Sequence, residues 1–365
     1  MKNRNKKIGI LNFQFSNNNY GAVLQAAALQ FVIENKGIEC EHIDFRPNKY
    51  RGVLFYPKML VKKFLKKPIP VIATISGSHV FEDFRLKYLK RTKIFTRESH
   101  QLVELSDSYS HVIVGSDQVW RPEYTYLQPA AFFLNFVPSK VKKISYAASF
   151  GLDDWTYDEK MTGKIKQLLN KFNYISVREK SGNDICKRVF NVDSTHVLDP
   201  TLLVGADFFL DMIKVDDHKL KNELVYYKLD ESDDFMASIN EISIKLKLEI
   251  ENIYHNNGEF NSVTNWLESI KNSKFIVTDS YHCICFCILF KKNFICSANP
   301  SRGLTRITSL LEIFGLEDRL CLNEKELSSE RYFKIIDYTK VDKLLLLNRE
   351  KSEKFLYKSL GIINE

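Results

Sequence analysis

KIGILNFQFSNNNYGAVLQAAALQFVIENKGIECEHIDF, residues Lys7 to Phe45, decides the reading of the fold. Its apolar start, Lys7 to Phe13, reads as a buried strand. Four polar residues, Ser16-Asn17-Asn18-Asn19, and the pair Tyr20-Gly21 then lead into Ala22 to Glu34, a run with helical composition. Gly37 stands where a glycine ends a helix, and Glu41 to Phe45 reads as a second strand. Strand, helix, strand in this order predicts a parallel sheet with helices on its faces. The hydrogen-bonding capacity packed between strand and helix has two readings, a cap for the first helical turn or a binding surface for a ligand.

The same rhythm continues outward from this stretch. His111 to Val114, Lys143 to Ala147 and Tyr174 to Val177 read as further strands of a first unit. After the Asp199-Pro200 break a second series begins, with Leu224 to Lys228, Leu248 to Ile253, Phe275 to Thr278 and Asn293 to Cys296. The expected organisation is α/β, with two Rossmann-like domains at 1–203 and 204–340, each with its own core, and a C-terminal helix within 341–365 that packs on either half. No repeat or long Gly/Ser linker separates the halves, so the cleft between them is the expected binding site.

Composition sets limits on function. The 365 residues are 44% apolar and 27% charged, an ordinary globular mixture long enough for two domains. The net charge of +8 favours an anionic ligand or surface, but it is spread too evenly for a nucleic-acid footprint. Seven cysteines, three of them at Cys283, Cys285 and Cys287 without metal-ligand spacing, predict reduced, core-packed thiols and no disulfide framework. No apolar run approaches the ~20 residues of a membrane span, and the N-terminus lacks an export signal, which predicts a cytoplasmic protein. One segment with Lys58, Lys62, Lys63, Lys66 and Lys67 against Leu60, Val61, Phe64 and Leu65 reads as a basic amphipathic helix. It suits the protein surface or peripheral contact with an anionic inner membrane face.

Candidate site residues follow from strand ends, where such sheets bind ligands. Arg178 follows Tyr174 to Val177 and suits a carboxylate or phosphate, or equally a neighbouring acid. Asp279, Ser280 and His282 follow Phe275 to Thr278 at the start of a helix, a position suited to proton transfer and anion binding. Arg302 and Arg306 add positive charge near another helix start. Asp117, in VGSDQVW, is either a turn cap or a cleft carboxylate. No P-loop, dinucleotide glycine fingerprint, GxSxG, HExxH or Asp-x-Asp motif occurs, which points to chemistry without a metal.

Taken together, IGILNF…NNYGAVLQAAALQ, VIVGSDQVW, KKISYAASFG, ISVREKSG, VLDPTLL and FIVTDSYHCICFCILFKKNFI resemble, in order and spacing, the bacterial polysaccharide pyruvyl transferase family, from about Lys7 to Leu320. One position departs from its pattern: Cys283 stands where glycine is common. The resemblance implies a GT-B-like fold, phosphoenolpyruvate as donor and no further cofactor, and a glycan hydroxyl pair as acceptor, with a lipid-linked glycan a natural form. It assigns Arg178 and His282 to phosphoenolpyruvate; Arg306, as a further cation, and Ser280 complete the expected donor site on their chemistry. Within that scheme His282, Asp279 and Asp117 are the expected acid–base residues, with Asp279 orienting His282. Asn18, Asn19, Tyr20 and Gln25 are the expected acceptor wall. The rival readings are a nucleotide-sugar glycosyltransferase of the same architecture and a non-catalytic glycan-binding protein.

Overall fold

The computed structural model describes residues 7–47, 75–125, 128–213, 223–228, 230–299 and 304–363. The basic segment Lys58 to Lys67, and Arg302, lie outside the described residues. Six strands build the first sheet: β1 (Ile8–Leu11), β2 (Cys40–His42), β3 (His111–Val114), β4 (Lys142–Ala148), β5 (Tyr174–Val177) and β6 (Thr195–His196). They lie in the order β2-β1-β3-β4-β5-β6, and every pair is parallel. The second half contributes β7 (Glu223–Tyr227), β8 (Glu249–Asn252), a small antiparallel hairpin of β9 (His255–Asn256) and β10 (Glu259–Phe260), then β11 (Phe275–Thr278), β12 (Asn293–Ser297) and β13 (Leu320–Cys321). Its five-stranded sheet runs β13-β12-β11-β7-β8, again parallel throughout. These are two Rossmann-like α/β units.

Strand order reverses between β1 and β3 in the first sheet, and between β7 and β11 in the second. Neighbouring connections leave in opposite directions at such points and open a crevice beyond the strand ends. Residues following β1, β3 and β11, with Tyr227 at the end of β7, line one common cleft.

The halves are joined by more than a linker. The helix Tyr20–Glu34 is buried nearly all round, and Ala26, Ala27 and Ala28 let neighbouring elements approach closely. Tyr20, Val23 and Leu24 share an apolar cluster with Trp266 and Phe286 of the second unit. Each half keeps apolar clusters of its own, with Trp120 and Phe133 in the first and Phe235 and Tyr332 in the second, and the largest cluster straddles the boundary, because a helix apolar on every side needs partners on both. The helix Tyr338–Ser359 adds a second tie. Its Val341 and Leu345 join that shared cluster, while Leu356 packs with Ile8 and Ile10 of β1. Ser352 Oγ accepts from Leu198 N at 2.9 Å, and Arg349 Nε donates to the Leu202 carbonyl at 3.0 Å. All seven cysteines are free and buried, with Cys283, Cys285 and Cys287 in the shared cluster. No helix among the described residues is long and apolar enough to cross a membrane.

Candidate active site

The cleft between the two crevices has a volume of about 610 Å³. The loop after β1 supplies Phe13, Phe15, Asn18 and Asn19, and the turn after β3 supplies Asp117 and Gln118. Across from them stand Asp279, Ser280 and His282, which follow β11, and Arg306 from the helix Thr305–Phe314.

His282 enters through a helix start. Ser280 caps the helix Tyr281–Leu289, its hydroxyl accepting from Cys283 N at 3.4 Å, so Cys283 sits in a regular first turn with its thiol in the core. The imidazole then lies against Gly21: a Cβ on that glycine would stand 2.0 Å from His282 Nδ1. The glycine of the opening stretch therefore makes room for a histidine of the other half.

Beneath His282 lies a buried charge network. Asp199 is fully buried and caps the helix Pro200–Val204, with Oδ1 accepting from Thr201 N at 2.9 Å and Thr201 Oγ1 at 2.8 Å. Its Oδ2 accepts from Ser116 Oγ at 2.8 Å and Arg178 Nη1 at 2.9 Å, and faces His282 Nε2 at 3.6 Å. Burial alone would raise the Asp199 pKa; the His282 ring and then the Arg178 guanidinium outweigh it and hold the carboxyl below its ordinary range. The second amino group of Arg178 reaches Asp117 Oδ1 at 3.4 Å, and its guanidinium lies 4.4 Å from the centre of the Tyr281 ring.

These contacts correct several expectations. Arg178 stands at the strand end as read from the sequence, but its side chain is fully buried and does not line the cleft, because two protein carboxylates already engage it. The carboxylate facing His282 Nε2 is Asp199; Asp279 is instead held by Asn299 at 3.4 Å and lies 3.9 Å from Lys228. Tyr20 points away from the cleft. Its hydroxyl donates to the Tyr254 and Asn261 carbonyls, both at 3.1 Å, and its ring stacks on Trp266. Gln25 is buried in its helix, with Nε2 donating to the Ala22 carbonyl at 2.8 Å.

The other expected residues converge on the cleft. Asn19 combines both readings of the opening stretch, capping the helix through Ala22 N at 3.2 Å while lining the cleft with Asn18. Asp117 likewise holds its own turn, accepting from Gln118 N at 2.8 Å at a left-handed φ of +77°, and stands on the cleft wall. Arg306 lies beside it; burial and then repulsion from Arg178 lower its pKa, against Glu179 and Asp117. The helix of Arg306 is clamped to the first unit through Lys180 N, which donates to Ser309 Oγ at 3.1 Å, and through Thr305 Oγ1, which bonds Asp153.

Two further residues shape the site. Asp199 is signalled in the sequence only by an Asp-Pro pair, which reads as a helix start. Arg85, 1% exposed, holds the polar loop by donating to the Gln14 and Ser16 carbonyls at 3.1 and 2.8 Å and to Asn17 Oδ1 at 2.6 Å. Nothing in FEDFRLKY distinguishes that arginine from a surface charge.

Comparison with known proteins bears on the fold and on the family. In fold, the chain is similar to S. aureus MnaA in a structure with UDP (TM-score 0.56, 12% identity, covering 99% of this chain and 98% of that one). It is also similar to UDP-GlcNAc 2-epimerase from Neisseria meningitidis bound to UDP-GlcNAc (TM-score 0.53, 9% identity, 98% and 100% covered). At such identities the likeness speaks for the fold alone, two Rossmann-like units of GT-B type. No curated protein sequence matches the chain. The family model for polysaccharide pyruvyl transferase matches residues 19–301, a span that holds the Asn19 cap, Asp117, Asp199 and His282, and the chain belongs to that family.

Proposed function

We propose that the protein transfers pyruvate from phosphoenolpyruvate to a pair of hydroxyls on a glycan, forming a cyclic ketal in surface polysaccharide biosynthesis. The observation that carries this reading is that His282 and Arg306 share one cleft with Asp117. It offers a proton-transfer group, a cation and a carboxylate to a small dianionic donor. Arg306 and the N-terminus of the helix Tyr281–Leu289, with Ser280, bind its carboxylate and phosphate. Arg178 supports them from behind through Asp117 and Asp199.

In the reaction a proton is added to the methylene carbon of phosphoenolpyruvate, giving oxocarbenium character at C2. One sugar hydroxyl adds there and releases its proton. The second hydroxyl then replaces phosphate at the same carbon, and its proton leaves with the phosphate. Two hydroxyl protons are lost; one balances the new methyl group and the other the departing phosphate. His282 serves the proton transfer at carbon and Asp117 the hydroxyl, while Asn18 and Asn19 orient the sugar. A lipid-linked glycan at the inner membrane face, reached through the lysines between 58 and 67, belongs to the same proposal.

The charge at the β7 end favours this reading over a nucleotide-sugar transferase. Lys228 is 2% exposed there and is held by Glu324 at 2.8 Å, with Asp279 at 3.9 Å, so it brings no net positive charge to a diphosphate. Melting the protein with phosphoenolpyruvate and, separately, with UDP- and CMP-sugars decides between them. Phosphoenolpyruvate should raise the melting temperature by several degrees. Stabilisation by nucleotide sugars alone would sink pyruvyl transfer, and stabilisation by neither, with glycan binding intact, would leave a binding protein.

A further inference from the structure

We infer that Asp199 is the positioning carboxylate of His282: it holds the neutral imidazole with its proton on Nε2 and leaves Nδ1 to exchange protons in the cleft. Pyruvyl transfer supplies the substrate in this inference; the geometry stands without it. His282 Nε2 is shut off from solvent and faces Asp199 Oδ2 at 3.6 Å, while 7% of the side chain remains exposed on the cleft wall. The nitrogen that reaches the cleft is therefore Nδ1. On that side the chain places Gly21, and any larger residue would put a carbon 2.0 Å from Nδ1.

The carboxylate is well suited to hold a ring. Asp199 cannot swing, because Oδ1 takes the Thr201 amide and hydroxyl while Oδ2 takes Ser116 and Arg178. It is an acceptor only, so it selects the tautomer with a proton on Nε2. Asp199 follows the first sheet and His282 the second, so the pair forms only when the halves are docked. The other charges around the ring are Arg178 and Asp117 from the first unit, Asp279 on its own loop, and Arg306 on the same wall of the cleft, with the buried Glu179 near Arg306.

The experiment reads the ring directly. In protein labelled with 15N in its histidine rings, the His282 signals are identified as those missing from His282→Gln. The neutral wild-type ring should show a protonated Nε2 and a bare Nδ1. In Asp199→Asn, Oδ1 can still cap Thr201, which turns the amide NH₂ toward the imidazole, and the tautomer should invert. Turnover of that variant should fall on the order of 10²-fold with KM for phosphoenolpyruvate changed less than about twofold. A wild-type ring protonated on Nδ1, or an unchanged tautomer in Asp199→Asn, would overturn the inference. The wild-type spectrum decides even if the variant does not fold. The inferred tautomer in a protein indifferent to phosphoenolpyruvate would sink the donor assignment and leave the positioning role standing.

Discussion

Gly21 is the residue on which both halves of the site depend. Alanine in the first turn of a helix ordinarily stabilises it by about 0.5–1 kcal/mol relative to glycine. Here the new methyl would collide with the imidazole at 2.0 Å. Gly21→Ala should therefore lower turnover on the order of 10²-fold and lower the melting temperature. Adding His282→Ala should restore the melting temperature and leave the enzyme inactive. Wild-type turnover in the single variant would show that the ring has another working position. The sequence already displays His282, Asp117 and Asn19, because each follows an apolar run that ends in polar residues. It does not display Gly21's purpose or Asp199's partner. A glycine beside a helix start and an aspartate before proline both have adequate local explanations, and their real neighbours are remote in the chain. Arg178 shows the same limit: its place at a strand end is legible, but the two carboxylates that engage it are not.

Elements were more legible than contacts. His111–Val114, Tyr174–Val177 and Phe275–Thr278 are strands at the bounds their apolar runs suggest, because a strand buried on both faces leaves a continuous apolar signature. β2 is an exception in composition, carrying His42 fully buried at its end. Burial, and then the charge of Arg91, lower the His42 pKa from 6.5 to about 3. Unfolded, this ring takes up a proton as pH falls through 6.5, and folded it does so only near 3. The unfolded state thus binds more protons across that window, and stability declines as pH falls from 6.5 toward 3. Denaturant titrations at pH 7 and pH 5 should show a smaller loss for His42→Asn than for wild type. Equal losses would place the acid sensitivity elsewhere.

At the scale of the whole molecule, the two units share one cooperative structure. Tyr20 stacked on Trp266, the alanine face of its helix, and the helix Tyr338–Ser359 packed on both sheets leave no interface that separates cheaply. Calorimetry should give a single unfolding transition. Trp266→Ala, which empties a fully buried site in the shared cluster, should destabilise that transition by about 3–5 kcal/mol without splitting it. Two resolved transitions, with only the later one displaced, would show the units to be independent. Composition led to the expectation of a core in each half but not to the cluster they share, because it counts apolar residues without showing which side of a helix they serve.

The position of Tyr20 also matters while the chain is being made. Its hydroxyl finds the Asn261 carbonyl 241 residues downstream. A ribosome adding about 5–20 residues per second separates their emergence by roughly 10–50 s. Throughout that interval the face of the helix that will meet the second unit stays uncovered, because its partners there, Trp266 and Phe286 among them, are not yet synthesised. Recovery of folded protein should therefore rise with holdase capacity during translation and fall when synthesis is slowed.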